Sequence, residues 1–303
     1  MPIDFHLERV LVKRLKTNQD GATFLFGSAF SQNRDGAGIP NVEGVLEFIE
    51  EFAEERDFLE EYLEDAEGVA PKDRYQEAFN SVAGYCGQNS VNEIVRRVVK
   101  SNIDEHGNHR IPQAVKDFVT GVKNKNFRVT NIITTNFDTL LEEEFKTQGI
   151  SYNSYSVVSD TQLPEPANDS INIYHLHGIW DRGDTMHTTN QLQSSRERIE
   201  TSLQNIIGDD LVVIMGYSGW EDSFTRSLAS VVINPKSMYD ILWCFYESDA
   251  AAIEYSKQDL FDSLDDAITR GRVQFFNGVD CNAVFDKLSQ ANEFKKKELK
   301  STS

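Results

Sequence analysis

The chain has 303 residues, a formal charge of −19, 39% apolar residues and 26% charged residues. That length and composition fit one large α/β domain or two small ones, with enough apolar material for a full core. The excess of acid argues against duplex DNA or an anionic membrane as the main partner, because both recruit clustered Lys and Arg.

Leu7, Val10, Leu11 and Leu15 recur at helical spacing and predict a first helix over about 4–17, closed by Gly21. The apolar run 23–26 ends in Gly27 and reads as a buried strand. It feeds a Gly-, Ser- and Asn-rich loop, 27–40, that ends at Ile39-Pro40. From Val42 to Ala66 apolar residues return with a 3.6-residue period while acids fill the other face, which predicts one long amphipathic helix. Further helical patterns at about 73–84, 90–101 and 111–123 make 41–125 a mainly helical insertion between strands. The β-branched run 129–134 predicts a second strand. It runs into Thr135-Asn136-Phe137-Asp138 and a helix from about 139 to 146. A third strand, 171–176, ends at His177-Gly178. After a helix near 191–206, a fourth, 211–215, ends at Gly216-Tyr217-Ser218-Gly219. Strands at 241–246 and 273–276 follow, and a helix over about 281–298 closes the chain, its Lys-rich part at 295–300 reading as a frayed end. Near-continuous apolar strands separated by helices predict an α/β fold, a doubly wound parallel sheet of about six strands covered on both faces. With no clean linker, residues 1–303 read as a single domain whose core strands lie in about 21–40 and 126–290.

Residues 41–70 hold twelve acids and one base, Arg56, so most of the net charge sits on one helical stretch. Such a face is either solvated or a docking surface for a basic partner or a neighbouring subunit. The three cysteines, Cys86, Cys244 and Cys281, are widely spaced and form no C-x-x-C pair, which excludes a disulfide framework and a thiolate zinc module. A cytoplasmic setting is expected. The N-terminal MPIDFHLERVLVKRLK has charges inside its apolar pattern, unlike a signal peptide, and no run of apolar residues is long enough to span a membrane.

Four strand ends carry residues that do not suit a core: Gly27-Ser28, Asn136 with Asp138, His177-Gly178, and Gly216 with Ser218. In a doubly wound sheet these ends line the ligand crevice. Glycine there lets backbone approach a phosphate, which peptide N–H groups and a helix N-terminus can hold without a basic side chain. Taken singly, the glycines can be tight turns, Asn136 and Asp138 helix caps, and His177 a half-buried histidine. Together they describe a site. His175, two residues before His177, competes with it, and His6, His106, His109 and His187 read as surface residues without metal-ligand spacing.

The segments FLFGSAFSQNRDGAGIP, ITTNFDTLLEEEF, IYHLHGIWD and VVIMGYSGWEDSF, in that order, resemble the sirtuin-like NAD-binding domains over about 23–225 and more loosely to about 290. The string TTNFDTLLE is most similar to the divergent sirtuin-like domains of prokaryotic anti-phage defence proteins. The resemblance implies a Rossmann-like sheet in which Gly27, Ser28, Ala29 and nearby Ser31 wrap the pyrophosphate of NAD. Asn136 lies beside the nicotinamide ribose, Thr135 next to it belongs to the cofactor-binding set, Asp138 holds the carboxamide, His177 is the catalytic histidine, and Gly216 and Ser218 form the second dinucleotide-binding turn. Ala29 stands where the family loop has Gly, Asn41-Val42-Glu43 replaces an acid-Phe-Arg sequence, and 178–215 lacks the four-cysteine zinc module of the deacylases.

The activity this implies is hydrolysis of the nicotinamide–ribose bond to ADP-ribose and nicotinamide. It needs an oriented leaving group, stabilised positive charge on the ribose and a placed water, but no metal. His177 suits a general base because histidine ordinarily titrates near neutrality. The alternatives are a non-catalytic module that senses NAD or ADP-ribose and, against the missing cysteines, an NAD-dependent deacylase. A toxic hydrolase must be silent until triggered, which implies a regulated effector that depletes NAD in abortive infection. The expected assembly is a homo-oligomer working with a separate or fused sensor or ATPase subunit. No sensor domain is recognisable after residue 290, so the chain is expected to be an effector subunit or the N-terminal piece of a longer protein. A preference between NAD and NADP is not encoded in these motifs.

Overall fold

The computed structural model describes residues 3–167, 169–207, 211–217, 225, 228 and 239–290. Its strands are β1 (Phe5–His6), β2 (Ala22–Phe26), β3 (Val129–Thr134), β4 (Tyr152–Ser156), β5 (Ile171–His175), β6 (Leu211–Met215), β7 (Asp240–Cys244) and β8 (Val273–Phe276). All pair in parallel, in one sheet of order β1-β8-β7-β6-β2-β3-β5-β4. The fold is α/β and Rossmann-like. The six strands expected from sequence, numbered one to six along the chain, lie in the order 3-2-1-4-5-6, that of the doubly wound dinucleotide-binding sheet.

The sheet has eight strands among the described residues rather than about six. The two additions are the edges. The two-residue β1 takes the start of what reads as a helix over 4–17, leaving α1 as Glu8–Thr17. β4, Tyr-Asn-Ser-Tyr-Ser, is half-buried throughout and lacks an apolar run. Inner strands alternate between two cores. Leu25, Ile133, Tyr174, Ile214 and Trp243 point to one face. Phe24, Phe26, Ile132, Ile173 and Val213 point to the other. Burial on both faces is why these strands read as continuous apolar runs.

Between β2 and β3 the chain forms a 3-10 turn (Ser28–Phe30), then α2 (Val42–Glu55), α3 (Leu59–Ala66), α4 (Arg74–Cys86), α5 (Gln88–Lys100) and α6 (Gln113–Lys123). The long helix expected over 42–66 is broken. Asp57 takes φ +59 and the Phe58 N–H donates back to the Ala53 carbonyl at 3.0 Å, a helix-ending turn built on Asp where Gly is usual. The insertion is also divided. Helices α2–α5 share a core around Ile49, Phe52, Phe79 and Val95, whereas Val115, Phe118 and Val119 of α6 join the core on the sheet. All twelve acids of 41–70 are exposed. After β3 come α7 (Leu140–Gln148), α8 (Thr189–Gln193) and α9 (Glu197–Ile207), so one helix expected near 191–206 is two. The closing helix is described as Cys281–Ser289. The Lys-rich segment 295–300 lies outside the described residues. Among the described residues no helix is long and apolar enough to cross a membrane.

Candidate active site

The carboxyl ends of β2, β3, β5 and β6 open into a cleft of about 530 Å³. Ser28, Ser31, Thr135, Asn136, Asp138, His177 and Gly216 line its sheet side, and Val42, Leu46 and Tyr75 from the insertion face them. The cleft lies at the switch point, where β2 pairs with β3 on one side and β6 on the other. Ser218 lies outside the described residues.

The two strand-end turns nest against each other. Gly27 N–H donates to the Met215 carbonyl at 3.1 Å and Ala29 N–H to that of Gly216 at 3.4 Å. A Cβ on Gly27 would stand 2.3 Å from the Gly216 carbonyl oxygen, and Gly216 itself has φ +66. The glycines are therefore required by this backbone contact, and Gly27 and Ala29 do not line the cleft. The sequence expectation of a loop of free amides needs narrowing as well. Phe30 N–H donates to Gly27 and Ser31 N–H to Ser28, both at 3.1 Å, closing the 3-10 turn. Phe30 pins that turn by stacking on Phe26 at 3.8 Å between ring centroids. The exposed Ser28, with its hydroxyl, and the half-buried Gln32, with its amide, are polar groups that the loop brings to the cleft.

Residues 135–139 have no regular secondary structure and are held by named bonds. Thr135 N–H donates to the Phe26 carbonyl at 3.2 Å, and Asn136 N–H to the Thr134 hydroxyl at 3.0 Å. The Asn136 amide nitrogen donates to the Gly27 carbonyl (3.1 Å) and to Ser31 Oγ (2.9 Å), which ties β3 to the 27–31 turn. A carbonyl can only accept, so the amide orientation follows from the Gly27 contact, and Oδ1 is left to meet a ligand. Asp138 accepts from Leu140 N–H at 3.2 Å and from the Ser31 hydroxyl. Burial raises its carboxyl to about 6, against the lowering effect of those bonds and of His175. A carboxyl poised there can hold or release a proton near neutrality.

The two histidines of β5 and its following turn part company. His177 lines the cleft. His175 does not: its Nδ1–H donates to the Asn136 carbonyl at 2.7 Å and its Nε2–H to Glu142 Oε1 at 2.6 Å, with both side chains buried. Burial alone would lower His175, but Glu142 and the Asn136 carbonyl hold it above its ordinary value. Glu142, which burial would raise, is held below its own by His175 and Ser154. Both ring nitrogens face acceptors, as an imidazolium requires.

Two histidines that read as surface residues are covered. His109 pairs with Glu143 at 2.6 Å. His187 is buried in the cleft wall, where it stacks on Phe79 (4.5 Å between centroids) and meets the Tyr75 hydroxyl through Nδ1 at 2.9 Å. Its Nε2 has no partner, and burial, with the neighbouring His177, lowers it to about 3, so it stays neutral. The segment around it is docked on the insertion. Asn92 Nδ2 donates to Asp184 (2.8 Å), Gln88 Nε2 to the Thr185 carbonyl (3.1 Å), and Thr189 N–H to Asn80 (3.1 Å). Sequence reasoning also missed Arg74, the one Lys or Arg among the described residues lining the cleft. No His, Cys, Asp or Glu cluster of three or more suited to a metal occurs among the described residues.

Residues 130–261 match the family model of the SIR2-like domain, a span that contains Asn136, Asp138, His177 and Gly216 but not the 27–31 turn. Over that span the chain is similar to the SIR2-like domain. SIR2-like domains use NAD, and the fold is consistent with an NAD-dependent enzyme. No curated protein matches the chain.

Proposed function

We propose that this chain, on the strength of its similarity to the SIR2-like domain, is an NAD+ glycohydrolase that releases ADP-ribose and nicotinamide. The observation that carries the reading is the convergence of Asn136, Asp138 and His177 on one cleft at the switch point of the sheet. In this reading the C1′–N bond of NAD+ breaks, nicotinamide leaves as a neutral molecule with the bonding pair, and the ribose becomes oxocarbenium-like. Asp138 holds the carboxamide and places negative charge nearby. Asn136 Oδ1 accepts from a ribose hydroxyl or the attacking water. His177 takes the proton as the water oxygen bonds to C1′, so NAD+ and water give ADP-ribose, nicotinamide and H+. The pyrophosphate meets Ser28 and the Gly216 turn, with Arg74 supplying the positive charge.

Regulated depletion of NAD in anti-phage defence, inside the cytoplasm, by a homo-oligomer acting with a sensor or ATPase subunit, is the role we propose for this activity. It is supported by the TTNFDTLLE resemblance. The absence of cysteine from 178–215 favours hydrolysis over deacylation. The test is incubation of the purified chain with NAD+, reading nicotinamide and ADP-ribose with and without an acetylated peptide. Peptide-independent release of both supports the hydrolase. Peptide-dependent release would make it a deacylase, and saturable NAD+ binding without release a sensor.

A further inference from the structure

We propose that His175 is a positioning residue for the NAD+-cleaving site, holding the Asn136 carbonyl through Nδ1 while Glu142 keeps the imidazole oriented through Nε2. The proposal rests on the hydrolase reading for its kinetic consequence, but its geometry stands apart from it. His175 is the last residue of β5, paired with Thr134 at the end of β3, and Glu142 lies in the first turn of α7, so the pair ties the helix that follows the irregular run 135–139 to the strand beside the one that precedes it. That run has no ladder or helix of its own to fix it, yet it carries Asn136 and Asp138. The bond from His175 Nδ1, at 2.7 Å, is the one that reaches Asn136 from β5. Every other bond to Asn136 comes from β3 or the 27–31 turn.

The pair is poorly explained as a stabilising ion pair. Glu142 Oε1 takes both His175 and the Ser154 hydroxyl (2.7 Å), while Oε2 is buried with no partner. A buried pair with an unmet lone pair recovers little of its desolvation cost. Its output is geometric: a charged donor makes a stronger hydrogen bond to the Asn136 carbonyl than a neutral one. Asp138, the other buried carboxyl facing this imidazole, lies two residues further along the same run.

The two nitrogens can be separated by substitution. An asparagine at 175 places its amide nitrogen where Nδ1 stands, and a glutamine places it where Nε2 stands. His175→Asn therefore keeps the bond to Asn136 and loses Glu142, and His175→Gln does the reverse. The variants are compared in the full chain and again with Glu142→Leu, so that no charge is stranded in the core. The readouts are kcat and KM for NAD+, and hydrogen–deuterium exchange of the peptide containing 135–139. The expected result is that His175→Gln loses at least about tenfold in kcat, with KM changed far less, and its 135–139 amides exchange faster. His175→Asn recovers most of kcat and the protection, in both backgrounds. Glutamine matching or exceeding asparagine in kcat and protection would overturn the proposal, since a merely structural pair needs the Glu142 contact. If the wild-type chain releases no nicotinamide, the hydrolase reading fails, and the order of exchange protection alone decides whether His175 positions the run.

Discussion

Asp138 combines three properties that pull against one another: it is buried, it lines the cleft, and its carboxyl is raised from 3.8 to about 6. An acid whose folded pKa exceeds its unfolded one binds its proton more tightly when folded. Stability is therefore lost as pH rises from about 4 through about 6, and the cost above that range is about 3 kcal/mol. Asp138→Asn removes the cost and keeps an acceptor for Leu140 N–H. It should raise the thermal midpoint at pH 7, lose that advantage below about pH 4, and abolish nicotinamide release. A variant less stable than wild type at pH 7 would contradict this account of the site's strain. At the same scale, the sequence made His177 and Asp138 legible because strand ends in this topology must face the crevice. It did not make His187 legible. Thr-Met-His-Thr-Thr looks like a polar loop, and its burial is produced by Tyr75 and Phe79, more than a hundred residues earlier in the chain. The burial of His175 away from the cleft likewise depends on Glu142, which only folding brings within 2.6 Å.

At the scale of elements, the insertion between β2 and β3 supplies the far wall of the cleft and its one Arg or Lys among the described residues, Arg74 at the start of α4. With the Gly27–Ser31 amides largely committed to protein carbonyls, a substrate carrying two phosphates has few other donors to meet. Arg74→Ala should therefore raise KM for NAD+ by about tenfold, the scale of one charge-assisted hydrogen bond, with a small change in kcat. A KM equal to wild type would remove Arg74 from the site. The six inner strands were legible because burial on both faces writes an apolar run. The edge strands were not: two residues of β1 carry no period, and β4 has Asn or Ser at three of its five positions on a half-buried edge. The break at Asp57 was hidden because the apolar period resumes on its far side and no Gly or Pro marks the turn.

For the whole molecule, the strand order 3-2-1-4-5-6 is what gathers residues 28, 136, 177 and 216 at one opening. The −19 charge is compatible with that opening because, of the twelve acids exposed along 43–67, only Glu43 lines it. Charge reversal at Glu47, Glu51 and Glu54 should leave NAD+ turnover and assembly mass unchanged, as for a solvated face. A loss of either would make the face a docking surface. The central claim is that Asn136, Asp138 and His177 cleave NAD+, and it is tested most directly by nicotinamide release from NAD+ by the wild-type chain beside His177→Ala and Asn136→Ala. The account predicts equal amounts of nicotinamide and ADP-ribose from wild type and none above background from either variant. Full NAD+ loss with His177→Ala, at wild-type rate, would contradict it.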